Sequence, residues 1–471
     1  MAEYLGKNLN ENVTRLNEIL KIDESFDLMY RTFIIGNRKS CLYFVDGFLK
    51  DELMQKLLQY FLGLKEEDLG ENIHDMSKMS VPYGEVDLRD NIDDIVKDLL
   101  SGVPILIVDG FDRALSIDCR TYPGRSVQEP TKDKVMRGSK DGFVETLVFN
   151  TALVRRRIRN PKLIMEMCMV GRSSKTDVVI SYMGDRVDNK VLKEIKNRID
   201  CIDIDSLTMN QESLAECLYQ HKWYNPFPKF KFTERPDAAA AAILEGNIII
   251  LVDNSPAAMI IPTSVFDIIE DADDYYFPPI TGTYLRLSRF VIDLAAVLLT
   301  PTFLLLMLNP HWIPECLQFI KIEEQVNVPI IFQLLILEFA VDGLRLASLN
   351  TPSMLSTPLS VVAGIVLGDY TVSSGWFNSE IMLYMAFVAV SNYTQSSFEL
   401  GYALKFMRIM ILILTSIFSV YGYVAGIIIT LLAIVCNKTI SGKSYIYPLI
   451  PFDLKQLCRR FFRISLPSSE K

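Results

Sequence analysis

Three ionisable residues lie within an apolar stretch that is long enough to cross a lipid bilayer. Glu338, Asp342 and Arg345 occur within residues 328–349 at spacings of four and three, so on a helix they share one face. Each charge costs roughly 2.5–3.5 kcal/mol at the centre of a membrane helix. We therefore expect this face to contact protein or water, with Asp342 paired to Arg345 and Glu338 left to another partner or an ion. A polar contact between buried helices, an acidic site in an ion path and a helix lying flat on the lipid surface all fit this pattern.

Small residues recur on one stripe of the next apolar stretch. Ser360, Gly364 and Gly368 follow each other at intervals of four, and the two glycines form a GxxxG motif. Such a stripe lets helix backbones approach closely. In a ring of identical subunits the same stripe, together with Val361, would line a narrow channel that closes by excluding water. The sequence indicates either helix packing or pore lining, and we place the candidate pore here.

The elements that carry these residues form the last third of the chain. Residues 286–436 contain only 6 basic and 9 acidic residues, whereas residues 1–285 contain 35 and 46. A helix of about 20 apolar residues spans the roughly 30 Å of hydrocarbon in a bilayer. We predict four membrane crossings followed by a hairpin bent at Gly422, within residues 290–308, 328–349, 355–372, 381–398 and 406–436.

Basic residues and the N-terminal sequence predict the orientation. Arg286 and Arg289 precede the first crossing, Lys405 and Arg408 precede the last apolar block, and residues 438–471 are basic; positive charges favour the cytosolic side. The chain begins without the apolar core of a signal peptide, and its eight cysteines form no CxxC pair, as is typical of a reduced cytosolic protein. We therefore predict a cytosolic N-terminal domain and tail. Asp293, on the helical face of Arg286 and Arg289, predicts a local salt bridge at the membrane rim.

Residues 1–285, in which acidic residues outnumber basic ones, contain an internal repeat. Residues 101–123 and 245–266 each open with a glycine (Gly102, Gly246) that precedes a Val-Asp pair by six residues. The apolar runs around that pair predict two copies of a β-hairpin. Helical patterns between the copies indicate an α/β soluble domain of two related subdomains. We predict this domain at residues 1–284, an α-helical multi-pass transmembrane domain at 285–437 and a basic cytosolic tail at 438–471.

A run of arginines ends one predicted helix. Arg155, Arg156 and Arg157 come shortly before Pro161, and cations are favoured at a helix C-terminus. These arginines are expected to pair with nearby acidic residues, to contact another subunit or to contact lipid headgroups. A nucleotide site has little support because neither phosphate-binding glycine motif is present. The net charge of −9 argues against nucleic acid as a partner.

No group of residues in the sequence predicts catalysis. His74, His221 and His311 are isolated, without the spacing of metal ligands. The acidic run 270–276 lacks the spacing and the glycine of an EF-hand, so we expect it to be a solvated turn. We predict no enzyme, no metal and no cofactor.

Long, unusual motifs resemble the A subunit of the GerA family of spore germination proteins. They are RGSKDGFVETLVFNTALVRRRIRNP (137–161), GRSSKTDVVISYM (171–183), FTERPDAAAAAILEGNIIILVDNSPAAMIIP (232–262) and DDYYFPPITGTYLRLSRF (273–290). Two details, CRTYPGRSVQEP (119–130) and RGSKDGF, resemble a sporulation branch of that family more than a nutrient receptor.

The resemblance implies a multi-pass protein of the spore inner membrane. It implies a homo-oligomeric ring that conducts ions early in germination, with the lipid bilayer and other germination membrane proteins as partners. It also implies structural or subunit-contact roles for the motif residues Arg155, Arg156, Arg157, Glu234, Arg235, Pro236 and Asp237.

Three functions follow as hypotheses from the residues and the resemblance together. The first is a subunit of an oligomeric ion channel that releases ions on a germinant signal. The second is a non-conducting scaffold or receptor subunit that organises partner membrane proteins. The third is a secondary transporter with broken helices around Glu338.

Overall fold

The computed structural model describes residues 3–49, 51–69, 85–122, 138–219, 224–322, 324–350, 364–440, 442 and 444–463. The chain forms two compact units. The first comprises Met1–Gln220 and Phe230–Pro262, and the second comprises His221–Lys229 and Thr263–Lys471. The division after Pro262 comes earlier than the predicted boundary at 284.

The first half of unit 1 is a five-stranded sheet with helices on both faces. Its strands lie in the order β1-β2-β4-β5-β3. Residues of β4 are buried on both faces, Ile105 and Ile107 in one core and Leu106 and Val108 in the other. In chain order the elements are α1 (Leu9–Leu20), β1 (Leu28–Ile35), β2 (Arg38–Val45), α2 (Asp51–Gly63), β3 (Val86–Arg89), α3 (Ile92–Leu100), β4 (Ile105–Val108) and β5 (Ala114–Ile117).

The second half of unit 1 repeats this arrangement. Its strand order, β6-β7-β9-β10-β8, is that of the first sheet strand for strand. Every residue of the central strand β9 is buried. The elements are α4 (Leu147–Arg157), β6 (Leu163–Val170), β7 (Thr176–Met183), α5 (Asn189–Asp200), α6 (Gln211–Leu218), β8 (Lys231–Thr233), α7 (Pro236–Leu244), β9 (Ile248–Val252) and β10 (Ala258–Ile261).

The two hairpins predicted from the internal repeat are confirmed. Strands β4 and β5 pair antiparallel, as do β9 and β10. All the described strand pairs are antiparallel, so unit 1 is built from hairpins with added helices and not from parallel βαβ units.

The aspartate of each Val-Asp pair has a structural role. The Asp109 carboxylate accepts a hydrogen bond from the backbone N–H of Leu9 at 3.0 Å, and Asp253 does the same for Leu147 at 3.2 Å. Each carboxylate therefore satisfies an amide at the start of the first helix of its own repeat, where the helix has no internal partner for it. This explains why the pair recurs at the same distance after its glycine.

Unit 2 is a helical bundle. Within the described residues two of its helices, Pro279–Leu308 and Phe398–Val435, are long and apolar enough to cross a membrane by length and composition. Its elements are α8 (Val265–Ile269), α9 (Asp273–Tyr276), α10 (Pro279–Leu308), α11 (Ile330–Asn350), a π-helical segment (Ile365–Tyr370), α12 (Ser379–Tyr393), α13 (Phe398–Val435) and α14 (Leu454–Phe461).

Hydrogen bonds define two ends of the bundle. At the end of α10 near Leu308, called here the distal end, Asn309 donates to the Ser419 hydroxyl at 3.2 Å. The start of α11 is joined there to the start of α12, because Gln333 donates to the Asn378 side chain at 2.9 Å. At the opposite, proximal end, Ser396 between α12 and α13 donates to the carbonyl of Ile268 at 2.7 Å. Helices α11 and α12 therefore run from distal to proximal, and α10 and the first half of α13 run the other way.

Helix α13 doubles back on itself. Ser419 has φ 49° and ψ −125°, which breaks the helix. A Cβ added to Gly426 would lie 3.1 Å from the Cα of Ile411, although these residues would be roughly 22 Å apart in a straight helix. The hairpin predicted at Gly422 thus turns at Ser419, and Gly422 instead lies at the contact between the halves, where a Cβ would overlap the carbonyl oxygen of Leu414.

Candidate functional site

Unit 2 buries charge and exposes apolar side chains. On α11 Glu338 is 3% exposed, whereas Phe332, Phe339 and Leu346 are exposed. On α13 Lys405 and Arg408 are buried, whereas Phe406, Ile413 and Ile417 are exposed. This is the reverse of the pattern in a water-soluble helix. The candidate site consists of the charged side chains that α11 and α13 place between them: Glu338, Asp342, Arg345, Lys405 and Arg408.

The centre of the site is a two-point ion pair between α11 and α13. The Arg408 Nε and Nη2 atoms donate to the two carboxylate oxygens of Glu338 at 2.6 and 2.9 Å. The third donor, Nη1, reaches the carbonyl of Ala296 on α10 at 2.7 Å. Since Arg408 is completely buried, this pair joins three helices and uses both oxygens of the Glu338 carboxylate.

A second ion pair lies one helical turn nearer the proximal end. The Lys405 ammonium donates to the Asp342 carboxylate and, at 3.1 Å, to the backbone carbonyl of Glu338. The expected pairing of Asp342 with Arg345 is therefore wrong. Lys405 and Arg408 are also not loop charges that mark the cytosolic side, because both are inside the bundle as partners of the α11 acids.

Arg345 occupies an aromatic cage instead. Its guanidinium carbon lies 4.5 Å from the ring centre of Phe398, 5.0 Å from that of Tyr402 and 6.0 Å from that of Tyr393. Aromatic faces attract a cation at such distances. The cage holds the proximal end of α11 against the connection between α12 and α13.

The arginines at the foot of α10 pair with the acidic run and not with Asp293. Arg289 donates to both oxygens of Asp274 at 2.7 and 2.8 Å, and Arg286 pairs with Glu270. The predicted Asp293 salt bridge is thus not formed among the described residues. The acidic run is not a solvated turn either, since Asp274 is fully buried.

The glycine segment presents an open face. Gly364 and Gly368 belong to the helical segment that includes the π-helix. A Cβ added to either glycine would meet no described atom within 4 Å. The other two candidate pore residues, Ser360 and Val361, lie outside the described residues.

The arginines of the family motifs are engaged inside unit 1. Arg155 is fully buried on α4, and its Nε and Nη2 atoms donate to the Asp27 carboxylate of the first repeat at 2.6 and 2.9 Å. Arg156 lies over the Tyr122 ring at 4.4 Å. The Asp27–Arg155 pair therefore joins the two repeats of the unit.

Two further motif arginines pair with aspartates near the start of α4 and α7. Arg157 donates to Asp141 at 2.7 Å, and the pKa of the Asp141 carboxyl is lowered because the hydrogen bonds from Arg157 and Ser139 outweigh the effect of burial. Arg235 donates to Asp237 at 2.6 Å. Pro236 is the first residue of α7, and the Glu234 carbonyl accepts from Phe143 at 2.8 Å.

Sequence reasoning missed three of the residues that complete these contacts. Lys405 and Arg408 were assigned to orientation, and Asp27 was not singled out. The sequence contains one signal for the first two. Lys405 and Arg408 are three residues apart and Glu338 and Asp342 are four apart, so each pair lies on one face of its helix, and the two faces carry opposite charge.

These features define a class: a duplicated antiparallel α/β unit joined to an apolar helical unit with buried ion pairs and candidate membrane spans. The model of the family described as Bacillus/Clostridium GerA spore germination protein matches residues 14–471. The chain therefore belongs to the GerA family of spore germination proteins, as the sequence motifs predicted.

The chain is also similar to individual proteins and to one solved domain. The chain is similar to stage V sporulation protein AF of Bacillus subtilis, with 35% identity over 95% of this chain and 90% of the relative. It is similar to spore germination protein KA of the same organism, with 26% identity over 99% and 86%. Among solved structures, the N-terminal domain of the A subunit of the Bacillus megaterium spore germinant receptor GerK3 has 32% identity and a TM-score of 0.42, covering 56% of this chain and 97% of that one.

Proposed function

We propose that this protein is a subunit of an oligomeric ion channel that acts in spore germination, with unit 2 embedded in the spore inner membrane. The observation that carries the proposal is the reversed burial in unit 2, where Glu338 and Arg408 are inside and large apolar side chains are outside. Lipid favours that arrangement because the bilayer solvates apolar surface and penalises charge.

The positions of the charged and aromatic residues support a multi-pass topology. Ionised groups concentrate at the proximal end, around Arg286 and Arg289. The distal end carries exposed Trp312, Trp376 and Tyr421, and such rings favour the membrane–water interface. We therefore assign the proximal end, with both termini, to the cytosolic side.

The open glycine face supports an assembly of several copies around a central path. Gly364 and Gly368 leave room for a close neighbour on their segment, and small residues at such positions permit tight packing or a narrow pore. Other germination membrane proteins are expected partners, as the resemblance of the sequence motifs to the GerA family implies.

The transporter alternative is weaker than the channel. It needs the Glu338 carboxylate for a coupling ion or substrate, yet both oxygens already accept hydrogen bonds from Arg408. The scaffold alternative predicts that the reconstituted protein conducts no ions, which a measurement of ion flux tests.

The topology predicts which native cysteine can be labelled from outside the cell. Cys316 is exposed in the distal connection after α10, whereas the other exposed cysteines of the described residues, Cys201, Cys436 and Cys458, lie elsewhere in the chain. In cells that express the protein, a maleimide that cannot cross membranes should label Cys316 without permeabilisation, and Cys316→Ser should abolish that signal. Labelling that survives Cys316→Ser, or that always needs permeabilisation, would contradict the assigned orientation.

Ion flux through the reconstituted protein tests the channel itself. In liposomes that contain the purified oligomer, Gly364→Leu or Gly368→Leu should change potassium flux by about tenfold or more, equivalent to about 1.4 kcal/mol in the barrier, because a bulky side chain then enters the packed or pore-lining stripe. Gly343→Leu is the matched control, since Gly343 on α11 is equally open but lies outside the stripe. Equal flux in all variants would show that this segment does not line the pore. The absence of flux in every lipid would favour the scaffold.

A further inference from the structure

The segment after α13 exposes large apolar side chains outside the membrane spans. Leu449, Ile450, Phe452 and Leu454 are between 46% and 67% exposed. They lie in the part of the chain that the sequence predicts to be a basic cytosolic tail. Four such neighbours are unusual on a surface that faces only water.

Contacts within unit 2 hold this segment at the level where the apolar part of α10 begins. The ring centre of Phe461 on α14 lies 4.7 Å from that of Phe290, the first residue of the predicted crossing. Arg286 donates to the Arg459 carbonyl at 3.0 Å, and the Arg463 backbone N–H donates to the Thr283 hydroxyl at 3.1 Å. Helix α14 is therefore fixed against the foot of α10.

The basic residues of the segment include one that pairs within the bundle and two that are exposed. Arg460 donates to Glu270 at 2.8 Å and also pairs with Asp267, so its charge is used within the bundle. Lys455 and Lys438 are exposed. The surface thus combines exposed apolar side chains with exposed ammonium groups at one end of an apolar bundle, which is the composition of segments that lie in the headgroup region of a bilayer.

We infer that residues 446–462 form a surface that binds the bilayer, with Phe452 and Leu454 inserted at the boundary between headgroups and acyl chains. The proximal end of α13 exposes Leu431, Leu432 and Val435, and ten residues, 436–445, separate Val435 from this segment. The bilayer is therefore its occupant. This inference rests on the proposed insertion of unit 2. Part of the predicted basic cytosolic tail would then be an anchor that holds the foot of α10 at the cytosolic surface of the membrane.

Tryptophan quenching in liposomes tests the inference. In a background in which Trp223, Trp312 and Trp376 are replaced by phenylalanine, Phe452→Trp should be quenched by lipids brominated near the headgroup end of the acyl chain. Aqueous iodide should quench it only weakly. Met169→Trp is the soluble control, because Met169 is exposed on β6 of unit 1, and iodide should quench it strongly.

A third variant separates failure of the inference from failure of the proposed function. Leu294 is exposed on α10 within the predicted span, so Leu294→Trp should be quenched by brominated lipid if unit 2 is inserted. Quenching at 294 with iodide-accessible fluorescence at 452 would overturn the surface anchor alone. Iodide access at both positions would overturn the insertion of unit 2 as well.

Discussion

Replacing Glu338 with methionine is expected to destabilise the helical unit by about 3–5 kcal/mol, because removal of one partner leaves the other charge buried and uncompensated. Arg408, which is fully buried, would keep only the Ala296 carbonyl. Asp342, the neighbouring carboxylate, stays paired with Lys405 and so does not replace Glu338 as the partner of Arg408. The midpoint of thermal unfolding of the detergent-solubilised protein measures the loss.

The double variant Glu338→Met/Arg408→Met separates loss of the pair from loss of packing. Replacing both partners with apolar groups of similar size is often neutral, so most of the lost stability should return. Asp342→Asn is the matched control, since the Asp342 side chain is 30% exposed and its neutralisation should cost less. A double variant no more stable than the single one would show that the ion pair is not what α11 and α13 depend on.

Replacing Arg155 with methionine is expected to separate the two repeats of unit 1 at a cost of about 3–5 kcal/mol, since Asp27 would stay buried without its cation. The side chains of both residues are at most 2% exposed. The neighbouring backbone bond from Phe26 to Met165, at 3.0 Å, also joins the repeats. Hydrogen exchange of the Phe26 amide in the full-length protein should accelerate with the loss of stability.

Arg159→Met provides the comparison on the same arginine run. Arg159 is exposed, and its hydrogen bond is to the Tyr122 hydroxyl at 3.5 Å, so its replacement should change stability by no more than about 0.5 kcal/mol. Equal exchange rates at Phe26 in the two variants would mean that the Asp27–Arg155 pair does not hold the repeats together.

The helical site shows which of its contacts local sequence predicts and which it does not. Spacing along one helix places Glu338 and Asp342 on a common face, and the cost of charge in lipid predicts that this face meets protein or water. The choice of partner was wrong because Arg345 is the nearest base in sequence, whereas the actual bases are 63 and 70 residues away. Their position depends on the direction and register of α13 beside α11, which no local pattern contains.

The bend in the last apolar block is a second feature that local sequence predicts without giving its exact position. The apolar block at residues 406–436 is 31 residues long, which exceeds the length of about 20 residues for one crossing, so the sequence predicts a turn. The turn occurs at Ser419 and not at Gly422, because Gly422 is needed where the two halves touch and a side chain would not fit.

Composition and periodicity by themselves determined that the chain has an acidic, mixed first part and an apolar helical second part, and the recurrence of a glycine and a Val-Asp pair determined the repeated hairpins. These properties are local, since burial period and turn chemistry depend on neighbouring residues. Only the tertiary structure decided which charges pair, that the repeat extends to whole five-stranded sheets, and that Asp27 meets Arg155 across 128 positions. Such contacts arise when separate elements pack, and their partners are set by three-dimensional register.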